Sequence, residues 1–182
     1  MTPTAPSRLS GPLNQAELRR LLAAEPPLVE DLLDPERQLT PNGVDLSIAE
    51  VAWPADDAPA VLDFTNAERR LPAGEIIPWR EDRLLLPPGP YLVRYAERVN
   101  LPDDVIALGK PRSSLFRCGA ELVSAVWDAG YSGRGQGLLV VHYPGGLTLT
   151  RRARVLQLVF FRLTGRTAGY DGDYQNEDSS HP

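Results

Sequence analysis

The alternation of apolar and polar positions divides the chain near Gly43. Before it, Leu18, Leu21 and Leu22 recur at helical spacing in LNQAELRRLLAAEPP. Asn14 stands as an N-cap, Glu17 completes a capping box, and Pro26 and Pro27 stop the run. From Gly43 the period becomes two. In GVDLSIAEVA, Val44, Leu46 and Ile48 alternate with Asp45, Ser47 and Ala49, so Asp45 points away from the face that Val44 and Leu46 bury. Further strands are predicted near Val61–Phe64, on both sides of the Pro-Gly turn in LLLPPGPYLVRYAERV, and in DDVIALGKP, AELVSAVW and QGLLVVHY. The run LTLTRRARVLQLVFFRL supplies the last ones. One N-terminal helix followed by many short strands predicts a mostly-β barrel or jelly roll.

No internal repeat or second domain is visible, so residues 1–182 read as one domain. Residues 1–12 form a loose N-terminal tail, and 165–182, ending in GYDGDYQNEDSSHP, a mobile polar one. The 18 prolines agree with short elements and many turns.

Composition narrows the function. The single cysteine, Cys118, excludes an intrachain disulfide and a multi-cysteine zinc site. The formal net charge of −5 argues against nucleic acid as a partner, while a phosphorylated small molecule needs only a local arginine cluster. No run reaches membrane-spanning length and TPTAPSRLSGPL has no apolar leader core, so a cytoplasmic protein is expected, with no membrane partner.

Chemistry concentrates in a few stretches. VWDAGYSGRGQGLLVV carries four glycines, but no Lys-Ser/Thr pair or helix follows them, which excludes a Walker loop and a dinucleotide fingerprint. A glycine-rich β-hairpin remains, either simply bulged or letting a ligand approach the backbone. KPRSSLFR sets Arg112, Ser113 and Ser114 side by side, donors suited to phosphate oxygens or to a capped turn. Asp45 and Asp128 adjoin predicted strands and are candidates for a general base or for holding metal-bound water, or are ordinary edge aspartates. Tyr131 either stacks on a sugar or fills core. Gln157, inside VLQLVFF, is a network residue or a ligand contact. His142 is given no role.

Together, PNGVDLSIAEV, PRSSLFRCGA, AVWDAGYSGRGQGLL, RRARVLQLVFF and GYDGDYQ, in that order, resemble the dUTP diphosphatase and dCTP deaminase superfamily over roughly residues 14–176. AVWDAGYSGRGQGLLVVH looks most like the archaeal type of dUTP diphosphatase (dUTPase). The resemblance implies a distorted β-barrel of the β-clip, dUTPase-like kind, a homotrimer with sites at subunit interfaces, and Mg²⁺-dependent hydrolysis of dUTP to dUMP and diphosphate. It makes Asp128 the acid that orients water and Tyr131 the ring under the deoxyribose. The backbone around Ala125–Tyr131 would read the base. Arg112, Ser113, Ser114 and Gln157 would bind phosphate, and Asp45 would hold Mg²⁺ through a water, the metal itself riding mainly on the triphosphate. Tyr170, Tyr174 and Gln175 would close over the triphosphate as a lid.

The alternatives on this fold are a mono- or bifunctional dCTP deaminase, a non-catalytic nucleotide-binding regulator, and a broader nucleoside triphosphate diphosphatase. Deaminases similar to this chain place a catalytic Glu where Leu138 stands, and leucine moves no proton. They also tend to carry Lys where Asp173 stands. Zinc-type deamination lacks its Cys and His ligands here. The Gly-rich C-terminal motif of ordinary dUTP diphosphatases is replaced by GYDGDYQ.

Overall fold

The computed structural model describes residues 11–55 and 57–177; residues 1–10 of the expected N-terminal tail and 178–182 of the C-terminal one lie outside them. In chain order the elements are β1 (Gly11–Pro12), α1 (Gln15–Leu22), β2 (Val29–Glu30), α2 (Pro35–Gln38), β3 (Leu39–Thr40), β4 (Gly43–Pro54), β5 (Gly74–Ile76), β6 (Arg83–Leu86), β7 (Gly89–Tyr95), β8 (Arg98–Asn100) and β9 (Val105–Pro111). They continue with α3 (Ser113–Arg117), β10 (Ala120–Val123), β11 (Val126–Trp127), β12 (Ser132–Gly133), β13 (Gln136–Val141), β14 (Leu147–Thr150) and β15 (Arg154–Arg162).

Helix α1 has the expected capping box: the Glu17 amide donates to Asn14 Oδ1 at 3.0 Å. The other two helices are single turns. The principal sheet runs β10-β13-β7-β4-β15-β9-β11, every pairing antiparallel. Its two edge strands are consecutive in the chain, with only Ser124 and Ala125 between them. A sheet whose edges are joined by two residues must curl until those edges meet, so the sheet closes toward a barrel. The enclosed core is built from alternate residues of the central strands, among them Leu46, Ile48, Tyr91, Tyr95, Leu139, Leu158 and Phe160.

Several local expectations change. AELVSAVW is two strands, because the barrel seam breaks it at Ser124 and Ala125. The glycine-rich stretch is not a hairpin: β11 pairs with β9, β12 with β8, and β13 with β7 and β10. β6 and β7 flank the Pro-Gly turn but join different sheets, β6 pairing with β14. Near Val61 only an isolated bridge to Arg70 forms. Over Gly43–Ile48 strand β4 is buried on both faces, Asp45 included at 2% exposure. Among the described residues no helix is long and apolar enough to cross a membrane.

Candidate active site

The residues singled out in the sequence fall into two groups on one chain. The first is centred on Asp45. Cross-strand register places Asp45 opposite Gln157, and Gln157 opposite Lys110, so the three side chains share one face of β4, β15 and β9. Arg112, just past the end of β9, reaches that face and sets its Nε 3.0 Å from Asp45 Oδ2. Arg154 Nη1 approaches the same oxygen at 3.3 Å. Gln157 Nε2 donates to Thr40 Oγ1 at 2.8 Å. Ser113 and Ser114 are exposed on the first turn of α3, directly after Arg112. Burial raises the Asp45 carboxyl above its ordinary value; Arg112 and Arg154 pull it back and Glu97 adds to the rise.

Arg154 has no counterpart among the sequence expectations. Strand parity sets it on the face opposite Gln157. The ladder with β4 shifts register between Arg154 and Leu156, and that bulge turns Arg154 onto the Asp45 side.

The second group lines a cavity of about 470 Å³, within the usual size range of small-molecule sites. The seam residues Ser124 and Ala125 form one wall, and Val126, Trp127, Asp128 and Tyr131 continue it. Leu71 and Pro72 come from the loop between β4 and β5, and Tyr170, Tyr174 and Glu177 from the C-terminal segment. Asp128 is exposed, and among the described residues its carboxylate has no hydrogen-bond partner. The Tyr131 ring is buried edge-on between Trp127 at 5.5 Å and Tyr170 at 5.7 Å, and burial raises its hydroxyl pKa.

The glycines of this region serve internal packing. A Cβ at Gly135 would lie 2.4 Å from the Trp127 ring. Gly130 has φ +83, and a Cβ there would meet Gly169 at 2.6 Å, so at this position the C-terminal segment makes the close approach.

That segment is tied to its own chain through Glu177. The Tyr170 amide donates to Ala129 and the Asn176 amide to Ser132, both at 2.7 Å. Gln175 accepts from the Ser132 amide at 2.9 Å and donates to the Gly130 carbonyl at 3.0 Å. Asp173 pairs with Arg69 at 2.6 Å. Tyr170, Tyr174 and Gln175 therefore stand beside Asp128 and Tyr131, not beside Arg112. Glu177, absent from the sequence expectations, accepts from Gln136 at 2.6 Å, and burial raises its carboxyl. Leu138 is 39% exposed on β13, flanked across the ladders by Leu92, a cavity residue, and Val123.

The two groups do not meet within one chain. Trp127 pairs with Ala107 on β9, and Arg112 lies five residues further along, about 17 Å at strand rise. One group offers cationic and amide donors, the other an apolar cavity lined by two carboxylates, Asp128 and Glu177.

The family model for dCTP deaminase-like proteins matches residues 12–163. A probable deoxyuridine 5'-triphosphate nucleotidohydrolase of Methanococcoides burtonii is 48% identical over 168 residues, covering 91% of this chain and 98% of that protein. One of Archaeoglobus fulgidus, with the same name, is 43% identical over 166 residues, covering 91% and 96%. Among solved structures, 2'-deoxycytidine 5'-triphosphate deaminase from Agrobacterium tumefaciens superposes with a TM-score of 0.63 at 21% identity, over 85% of this chain and 49% of that one, a likeness of fold. By the match across its strands and by these relatives, the chain belongs to the dCTP deaminase-like family.

Proposed function

We propose that this chain is a single-domain, cytoplasmic dUTP diphosphatase. The observation that carries the reading is Leu138. It stands beside the wall residue Leu92, where a deaminating member of the family would need a proton-transferring side chain. The cavity takes base and sugar, Tyr131 lies under the sugar, and Asp128 holds the attacking water and accepts its proton. Attack is in line on the α-phosphorus, and diphosphate leaves. Arg112, Ser113, Ser114 and Gln157 bind the phosphates.

Among the described residues no three His, Cys, Asp or Glu side chains cluster to chelate a metal. A single carboxylate, Asp45, already beside two arginines, suits a metal that arrives on the triphosphate and is held through a water. Mg²⁺ supplies charge neutralisation there when bound. Because the phosphate-type donors and Asp128 are far apart in one chain, the working site forms between copies, in a homotrimer. Ile106, Leu108, Val126, Val159 and Phe161 leave partly exposed apolar surface on the strands between the groups, which supports such contact.

A second reading has one observation in its favour. Glu177 brings a partly buried carboxyl with a raised pKa into the cavity, a group that could serve a dCTP deaminase in place of the missing Glu. Incubation with Mg²⁺ and, side by side, dUTP, dCTP, dTTP and UTP tests both. Diphosphate release from dUTP alone is expected. Ammonia from dCTP would favour deamination, and binding of dUTP without diphosphate would mark a regulator.

A further inference from the structure

A buried carboxylate that takes no part in this chemistry lies close to Asp45. Glu97, in the link between β7 and β8, is 0% exposed. Its place follows from topology. β4 pairs with β15 as far as Ser47 and with β7 from Ile48 onward, and both ladders are irregular there. At this crossover the Ser47 carbonyl accepts from the Ala96 amide at 2.8 Å, and the Ser47 amide donates to Glu97 Oε2 at 2.7 Å.

The other carboxylate oxygen gathers three more donors. Ser47 Oγ lies at 2.6 Å, Gln38 Nε2 at 2.8 Å and Arg152 Nη2 at 3.3 Å. The same Gln38 nitrogen donates to the Asp45 carbonyl at 2.9 Å. Four donors on two oxygens require an acceptor-only group, which an ionised carboxylate is and an amide is not. A glutamine at 97 would turn its NH₂ either toward the Ser47 amide or toward Gln38 and Arg152. If Gln38 then flipped, its oxygen would face the Asp45 carbonyl. Either arrangement releases the main chain at Asp45 or at Ser47.

We propose that Glu97 is a positioning residue: through Gln38 and Ser47 it fixes the β4 backbone at Asp45 and Ser47, and so holds the Asp45 carboxylate between Arg112 and Arg154. The inference rests on the reading of Asp45 as part of the working site. A residue serving stability alone would lower the melting temperature and leave Asp45 in place in the folded protein.

The test uses Glu97→Gln and Gln38→Leu in the full chain, with Asp104→Asn as the control. Asp104 is a buried carboxylate paired with Arg162 at 2.8 Å, outside both residue groups of the site. Crystal structures and steady-state kinetics with dUTP and Mg²⁺ are read together. In Glu97→Gln and Gln38→Leu, Asp45 is expected to leave its position between Arg112 and Arg154. Their kcat is expected to fall about ten- to a hundredfold with KM changed less than about threefold, as for a small misplacement of a working group. Asp104→Asn is expected to lose stability and keep kcat. Should Glu97→Gln not fold, Gln38→Leu decides, since it cuts the link to Asp45 and leaves the carboxylate. A folded Gln38→Leu with Asp45 unmoved and kcat unchanged overturns the proposal. If the parent protein does not hydrolyse dUTP, the functional reading fails, and the position of Asp45 in the variants still decides the role of Glu97.

Discussion

Arg112 meets Asp45 through its Nε at 3.0 Å, which leaves the outer nitrogens of the guanidinium fork to be shared with another group. Arg112 Nη1 has only a marginal approach to the Arg154 carbonyl at 3.5 Å. A lysine would keep the charge and lose the simultaneous grip on carboxylate and phosphate. Arg112→Lys is therefore expected to lower kcat/KM for dUTP at least about tenfold, equivalent to about 1.4 kcal/mol, with little change in melting temperature. Steady-state kinetics beside a thermal melt checks it.

The Tyr95 hydroxyl is buried and has no hydrogen-bond partner among the described residues. A Cβ at Gly137 would stand 2.5 Å from it. An unsatisfied buried hydroxyl costs folding free energy, so Tyr95→Phe is expected to stabilise the fold by about 1 kcal/mol. Gly137→Ala is expected to destabilise by about 1–3 kcal/mol through overpacking, and by less when combined with Tyr95→Phe. Urea unfolding of the two single variants and the double variant measures the coupling.

Features set by neighbours in sequence are legible in the chain, and contacts between distant strands are not. The capping box of α1 and the period-two run of β4 are set by neighbours in sequence, and both were readable. The covering of Asp45 was not, because Arg112 and Arg154 reach it from other strands, and a bulge inverts the parity by which Arg154 would be placed. AELVSAVW reads as one strand because nothing local marks Ser124 and Ala125 as the point where the barrel edges meet. The glycines at 130, 135 and 137 announce close approach without saying of what; Gly169, Trp127 and Tyr95 make those approaches. Glu97 left no local sign: Arg98 follows it directly in the chain, and its donors come from β4, α2 and Arg152.

Burial raises the Glu177 carboxyl above its ordinary value of 4.5, against the pull of Gln136 and Arg94. A carboxyl with a raised pKa holds its proton more tightly in the docked C-terminal segment than in a free one. Its contribution to docking is full below the ordinary value and is lost as pH rises through the docked one. Hydrogen-exchange protection of the Tyr170 and Asn176 amides, which bond to Ala129 and Ser132, is expected to fall from about pH 4.5 upward. Glu177→Gln should flatten that dependence, and a slope unchanged in the variant would assign it to another group.

The separation of Asp128 from Arg112 makes a prediction about mixtures. Asp128→Asn and Arg112→Ala alter exposed or partly exposed side chains and should each fold and each lose most dUTP hydrolysis. If a working site takes Asp128 from one copy and Arg112 from another, co-expressed variants can build intact sites from two damaged chains. With random assembly at equal amounts, half of the Asp128 contributions and half of the Arg112 contributions are intact. About a quarter of sites are then whole, and turnover should recover to about a quarter of the parent value. The count holds for any ring in which each site joins two neighbouring copies, and mass measurement of the purified assembly fixes the number. A mixture no more active than its two components would place both residues of each site on one chain, and would require a separation of more than about 17 Å along β9 to be spanned by some other rearrangement.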